Sequence, residues 1–233
     1  RRAFYASCTH IDHQIRLLIG TLREQSLLDN TILAFMSDHG DMLFNHGMVA
    51  KRVFYEGSSH IPFFVTGNPI ADRGGTQDDR LACLADVMPT LLELAGVPVP
   101  STVEGLPMFG SRRRDLLYGE IGEGAKATRM VTDSRYKLIY YPTGNYRQLF
   151  DLHEDPKELR NLAGSAEVRE AEARLVGHLV QNLYGEDVTW ISDGELRGRE
   201  NREFAPLRDF SLYNQRGYHW PPPSDYTHLG GNM

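Results

Sequence analysis

Four side chains between residues 38 and 51 have the chemistry of an oxyanion site: Asp38, His39, His46 and Lys51. The first two stand side by side in Ser37-Asp38-His39-Gly40-Asp41, directly after the apolar run Thr31-Ile32-Leu33-Ala34-Phe35-Met36. Ligands in open α/β sheets gather at the carboxyl ends of strands, so a carboxylate and an imidazole there are well placed to hold a divalent metal. An Asp that caps the next segment and a His that only packs explain the dipeptide equally well. The following loop changes that balance. It carries His46 and Lys51 and returns to a second apolar run, Ile61-Pro62-Phe63-Phe64-Val65. A lysine ammonium is a compact cation suited to gripping a tetrahedral oxyanion. A metal and a lysine around one pocket point to electrostatic stabilisation of a sulfuryl or phosphoryl group. Both strands are expected to end on the same sheet edge, with the loop folded back over the site.

The elements around this stretch follow from periodicity. Ala3, Ala6, Ile11, Ile15, Leu18 and Leu22 share the apolar face of a first helix that reaches about Leu28. His10, Asp12 and His13 fall within one turn of it but lack a third ligand at zinc-site spacing, so they read as a polar face turned to water or a neighbour. Leu84 to Val97 predicts a helix with Leu84, Val87, Met88, Leu91, Leu92 and Ala95 facing the core, stopped by Gly96 and Pro98. From Leu116 the pattern changes to short strands at 116–121, 129–132, 136–141 and 148–152, punctuated by Gly, Pro and Asn. Tight turns between consecutive strands favour an antiparallel meander. The acidic residues of Asp151 to Leu162 lack EF-hand spacing and read as turn and cap chemistry. Ser165 is expected to cap a last helix running to about Tyr184, with Leu175, Leu179 and Leu183 on one face. The remainder, with Trp190, Trp220 and Pro221-Pro222-Pro223, predicts an extended arm packed on the body through its aromatics.

Several of these stretches together resemble the later part of a known family. Ser37-Asp38-His39-Gly40, Gly47, Lys51, Tyr55-Glu56-Gly57 and Ile61-Pro62 are similar to the second half of a sulfatase of the alkaline-phosphatase superfamily. Asp86-Val87-Met88-Pro89-Thr90 with Ala95-Gly96, Val103-Glu104-Gly105-Leu106, Arg135-Tyr136-Lys137-Leu138-Ile139 and Leu149 to Leu162 extend the resemblance over nearly the whole chain. It implies an α/β fold, part of an alkaline-phosphatase-like sandwich with a mixed sheet flanked by helices, plus a small C-terminal antiparallel sheet with a helix. The implied divisions are 1–110, part of the catalytic domain, 111–185, the small subdomain, and 186–233, the arm. The resemblance makes Asp38 and His39 ligands of a divalent metal, calcium in most of the family, with manganese or magnesium as alternatives. Lys51 becomes the sulfate-binding lysine, and His46 a hydrogen-bond or proton donor near the leaving group. Phosphonate monoester hydrolases of the same superfamily would use the same metal and lysine. A non-catalytic binding or assembly module left by truncation is the reading from a different class.

The resemblance also names what is missing. The family's nucleophile is a formylglycine made from Cys or Ser in a Cys/Ser-x-Pro/Ala-x-Arg motif, which neither Cys8 nor Cys83 begins. The family's two aspartate ligands from its first strand have no counterpart in this chain. The chain opens inside an amphipathic helix and reads as a fragment, so no localisation follows from its beginning. By itself it is expected not to hydrolyse sulfate esters, and its uncovered apolar surface is expected to favour a homo-oligomer or a partner. Implied substrates are sulfate-ester small molecules or sulfated glycans. The 233 residues carry a net charge of −6 without a broad basic face, so a nucleic-acid partner is not expected. No apolar run has membrane-spanning length, and Arg112-Arg113-Arg114 reads as a solvated loop. The two cysteines make no disulfide framework or zinc pattern and read as small buried hydrophobes.

Overall fold

The computed structural model describes residues 1–200. The order is α1 (Arg2–Glu24), β1 (Leu33–Met36), a one-turn helix α2 (Glu56–Ser59), β2 (Phe63–Thr66), α3 (Val87–Leu94), β3 (Leu117–Ile121), β4 (Thr128–Thr132), β5 (Tyr136–Tyr141), β6 (Tyr146–Asp151), α4 (Arg169–Asn182), β7 (Ile191–Ser192) and β8 (Glu195–Leu196), joined by loops and single 3₁₀ turns. The described chain divides into two compact units, 1–38 with 61–114, and 39–60 with 115–200. The 39–60 loop therefore groups with the C-terminal meander. No helix among the described residues is long and apolar enough to cross a membrane.

In the first unit β1 and β2 pair antiparallel, Leu33 opposite Thr66 and Met36 opposite Phe63. The two strands thus do not end on one edge as expected: β1 ends where β2 begins. Phe35 and Phe64 stack across the pair, centroids 4.8 Å apart. The unit is organised by a polar hub. Asp86, 1% exposed, accepts the backbone N–H groups of Cys83 (2.9 Å) and Leu106 (2.7 Å), and its two oxygens take a bidentate fork from Arg114, each at 2.5 Å. Burial alone would push the Asp86 carboxyl up, but this fork and the two amides hold it below its ordinary value. Thr90 donates to the Asp86 carbonyl at 2.5 Å and accepts the Met108 N–H at 2.9 Å, which fixes the 105–108 strip against the start of α3.

This hub overturns two expectations. Arg114 is part of a buried ion pair and does not belong to a solvated loop, while Arg112 and Arg113 are exposed. The inward face of α3 is Pro89 and Thr90; Leu84, Met88 and Ala95 are exposed and Val87, Leu91 and Leu92 half-buried. Apolar spacing located the helix, but the hydrogen bonds of Asp86 and Thr90 oriented it. Cys8 is exposed and Cys83 half-buried, so neither is the buried hydrophobe expected. The first helix stops at Glu24, short of Leu28, and none of its residues is buried. His10, Asp12 and His13 all lie exposed on it, as a polar face should.

In the second unit β3, β4, β5 and β6 form an antiparallel meander in sequence order, as the strand spacing predicted. Period-2 alternation sends successive side chains to opposite faces, and both faces are covered. Val131, Leu138, Tyr140 and Leu149 pack against Leu175, Leu179 and Leu183, so the face predicted for the last helix is its buried face. Met130, Ile139 and Phe150 meet Met42, Phe54 and Tyr55 from the 39–60 loop. Ser165 does not cap α4: it precedes a 3₁₀ turn and makes no side-chain cap bond. Where the arm was expected to begin, Trp190, 1% exposed, ends a 3₁₀ segment (Gly185–Trp190) that leads into the β7–β8 pair, and its ring lies 5.2 Å beneath the Arg129 guanidinium. Arg129 also donates to Asp187 at 2.7 Å. Trp220 and the proline run lie outside the described residues.

Close backbone approach at Gly105 makes a test. A Cβ there would stand 2.0 Å from the Ala85 carbonyl oxygen, whereas one on Gly177, inside α4, would meet nothing within 4 Å. Gly105→Ala is expected to lower stability to urea by about 2–3 kcal/mol through overpacking. Gly177→Ala is expected to raise it by about 0.5–1 kcal/mol through helix propensity. Equal effects from the two substitutions would contradict this account of the 105–108 strip.

Candidate functional site

The loop from His39 to His60 is closed at its neck by backbone. Gly40 donates its N–H to the Ser58 carbonyl at 2.8 Å. A Cβ on Gly40 would lie 2.2 Å from the Gly57 carbonyl oxygen, so the glycine of the Asp-His-Gly stretch is needed where the legs of the loop meet. Met42, fully buried, plugs the loop into the apolar face of the meander. Beyond it the chain folds on itself: Met42 N–H donates to Ala50 O and Phe44 N–H to Met48 O, each at 2.7 Å. Asp41 turns the corner by accepting the Leu43 N–H at 3.0 Å.

This tight excursion has an unusual backbone. Leu43, Phe44, His46, Ala50 and Arg52 all have positive φ, half of the ten such non-glycine residues in the described chain. Each left-handed L-residue costs about 1–2 kcal/mol. A conformation of this kind persists where surrounding contacts over-determine it, and such strain clusters at functional sites.

Two of the candidate residues meet within the loop. The His39 Nδ1 lies 2.8 Å from the Gly40 carbonyl oxygen, which can only accept, so Nδ1 carries the proton. Its Nε2 lone pair is thereby left facing the Lys51 ammonium, which donates to it. His46 is placed differently. Its ring lies flat on Tyr55, centroids 4.1 Å apart and planes within 14°, and the Tyr55 hydroxyl reaches the Gln148 side-chain amide at 2.9–3.1 Å. Asp38 is exposed and belongs with β1 in the first unit, the division between the units falling between it and His39. Among the described residues no three His, Cys, Asp or Glu side chains come together as a metal site. Two donors do not satisfy a hard cation that takes six to eight oxygens, and the His39 lone pair is already engaged. The described residues therefore do not fit a complete cation site.

A second set of charged groups holds the returning leg of the loop. Lys137, the second residue of β5, has a side chain 2% exposed. Its ammonium donates to the Phe54 carbonyl and to Glu158 Oε1, both at 2.9 Å, and to the Glu56 carboxylate. The Glu56 N–H donates to the other oxygen of Glu158 at 2.7 Å, and the far oxygen of Glu56 accepts from His60 Nδ1 at 2.6 Å. In the sequence, Glu56, Lys137 and Glu158 stand out only as parts of longer motifs. The signal for Lys137 was a cation inside the otherwise apolar Tyr136-Lys137-Leu138-Ile139-Tyr140-Tyr141, on a strand covered on both faces. The rest of the acidic stretch does the turn chemistry expected of it: Asp151 accepts the N–H groups of His153 and Glu154, and Asp155 that of Arg160.

Comparison with known proteins identifies the family of the chain. Residues 44–184, more than half of the chain, match the family model for the C-terminal region of N-sulphoglucosamine sulphohydrolase. The chain is 37% identical to an arylsulfatase of Clostridium perfringens over 204 residues, 84% of this chain and 42% of the relative. It is 34% identical to arylsulfatase K of Xenopus laevis over 195 residues, 75% of this chain and 36% of that protein. The solved structure of BT4656 in complex with its substrate D-glucosamine-2-N,6-O-disulfate superposes with a TM-score of 0.64 at 25% identity, covering 76% of this chain and 38% of that one. The chain belongs to the sulfatases of the alkaline-phosphatase superfamily, within the family of the N-sulphoglucosamine sulphohydrolase C-terminal region. It spans about two fifths of the length of these relatives.

The Glu56 cluster has a pH signature. Burial alone would raise the Glu56 carboxyl, but His60 and Lys137 outweigh it and lower the pKa from 4.5 to about 2. Glu56 thus ionises more readily folded than unfolded, and its stabilisation is complete above pH 4.5 and lost as the pH falls through about 2. His60 works in the other direction. Its hydrogen bond to Glu56 raises it above 6.5, so its share is present below pH 6.5 and lost as the pH rises through the folded value. In urea titrations, the stability gap between wild type and Glu56→Gln is expected to reach about 2–3 kcal/mol between pH 4.5 and 6.5. It is expected to shrink toward pH 2. A gap independent of pH from 2 to 6 would contradict the ionised cluster.

Proposed function

We propose that this chain supplies the sulfate-gripping side of a sulfatase active site acting on sulfate esters, sulfated glycans among them. The observation that carries the reading is the placement of the Lys51 ammonium beside the His39 ring, on a strained loop closed by Gly40 and Gly57. Family membership and the sulfated sugar bound by one relative give it a substrate class. In hydrolysis, a nucleophile oxygen bonds to sulfur as the S–O bond to the leaving alcohol breaks; the bonding pair departs on the alcohol oxygen, which takes up a proton, and negative charge stays on the sulfuryl oxygens. A cation held close to those oxygens by a fixed backbone stabilises that charge without reorganising at the moment of reaction. Lys51 is assigned this role. His46, stacked on Tyr55, is assigned to the leaving-group side, where an imidazole can donate a hydrogen bond or a proton.

Asp38 and His39 are proposed as two donors toward a divalent cation, calcium before manganese or magnesium, His39 through the Nε2 lone pair once Lys51 turns from it to the sulfate oxygens. The other donors and the formylglycine nucleophile would come from sulfatase sequence outside this chain. The purified chain is accordingly expected to show no turnover of an aryl sulfate, with or without added cations.

Calorimetric titration with inorganic sulfate tests the reading directly. Wild type is expected to bind in the millimolar range, about −4 kcal/mol, and Lys51→Ala to lose that binding while keeping its urea midpoint. Equal sulfate binding by the two proteins would remove Lys51 from the site.

A further inference from the structure

The geometry points to Lys137 and Glu158 as positioning residues for Lys51, an inference that rests on the sulfate-binding role proposed above. Neither residue touches the oxyanion-binding group; both act on the backbone that carries it. Together they hold the returning leg of the loop at three points: the Phe54 carbonyl and the Glu56 carboxylate by Lys137, and the Glu56 N–H by Glu158. Only Arg52 and Val53 separate Lys51 from Phe54, so these anchors fix the chain within three residues of the ammonium's own Cα. Upstream, the left-handed residues between Leu43 and Arg52 need neighbours that exclude the relaxed alternatives. Met42 and the Gly40 neck secure the outgoing leg. The ion cluster secures the returning one.

The cluster is built for this task. Lys137 and Glu158 have side chains 2% and 1% exposed, and they lie on different elements, β5 and the turn after β6. Glu158 is itself left-handed at φ 55°, a conformation held by its two bonds to the cluster. A buried ion pair is a poor stabiliser in its own right, because desolvation offsets most of the attraction. A Met and a Leu of similar volume would hold the sheet and the turn together about as well. They could not hold a carbonyl, an amide N–H and a carboxylate. What the ions add is direction on the 54–56 backbone.

That difference supplies the experiment. The double variant Lys137→Met/Glu158→Leu removes both charges together and leaves no orphaned ion in the pair. Three quantities are compared with wild type: the urea midpoint, amide hydrogen exchange by mass spectrometry, and the affinity for inorganic sulfate. The expected result is a midpoint lowered modestly, because the Phe54 carbonyl, the Glu56 N–H and the Glu56 carboxylate lose partners, with exchange in β4–β6 and α4 rising no more than that midpoint shift requires. Amides of 43–56 are expected to exchange roughly tenfold faster, and sulfate to bind about tenfold more weakly. Unchanged exchange in 43–56 would overturn the positioning role, as would exchange rising equally throughout the meander. Glu158→Gln, which retains an acceptor for the Glu56 N–H, is expected to fall between wild type and the double variant in loop exchange. No intermediate value there would also count against the role. Should wild type bind no sulfate that Lys51→Ala abolishes, the oxyanion reading of Lys51 fails separately. The anchoring of the loop is then judged by exchange alone.

Discussion

One desolvated ammonium governs the second unit. Lys137 lies on the face of β5 that also carries Ile139, and a charge buried there is tolerated only when its donors find acceptors. Phe54, Glu56 and Glu158 supply them. Because those acceptors come from the 39–60 loop and from the turn after β6, satisfying one lysine fixes both segments on the sheet. The apolar contacts of Met42, Phe54 and Tyr55 with Met130, Ile139 and Phe150 supply adhesion without direction. The ion cluster supplies the direction.

Asp86 has the complementary role in the first unit. Ile70 and Met108 are its buried hydrophobic side chains among the described residues, and both apolar clusters belong to the second unit. A buried carboxylate with four donors orders the region instead: two backbone amides and the two ends of the Arg114 fork. Thr90 continues the network to Met108. The Asp-x-x-Pro-Thr and Glu-Gly stretches of the sequence are thus the two halves of one hydrogen-bonded device, brought together by the tight approach of Gly105 to Ala85. Many large apolar side chains of this unit stay exposed, Leu17, Leu18, Phe64 and Met88 among them.

Legibility in the sequence tracked how local the deciding interaction was. The meander was readable because β3 to β6 are neighbours in sequence order and their turns are short. The inward face of α4 was readable because Leu175, Leu179 and Leu183 repeat at helical spacing and meet one apolar sheet. The face of α3 was misread, since the same apolar pattern lost to hydrogen bonds from Asp86 and Thr90 to residues 18–20 positions away. The pairing of β1 with β2 was expected to be of the wrong sense, because two apolar runs look alike in either direction. Ser165 has a capping residue's chemistry, but the chain entered a 3₁₀ turn before the helix and left its hydroxyl without that task.

By itself the sequence determined which chemistries were available: a lysine and two histidines on a glycine-necked loop after an Asp, and a strand pattern that could only meander. Those are matters of residue type and short spacing, fixed by covalent order. The tertiary structure alone decided which of these groups meet. It set Lys51 against His39 and His46 against Tyr55, and it joined Glu56, Lys137 and Glu158 into one cluster across 102 residues of chain. The physical reason is that a buried charge must find partners wherever the fold offers them. No local pattern records how far along the chain those partners lie.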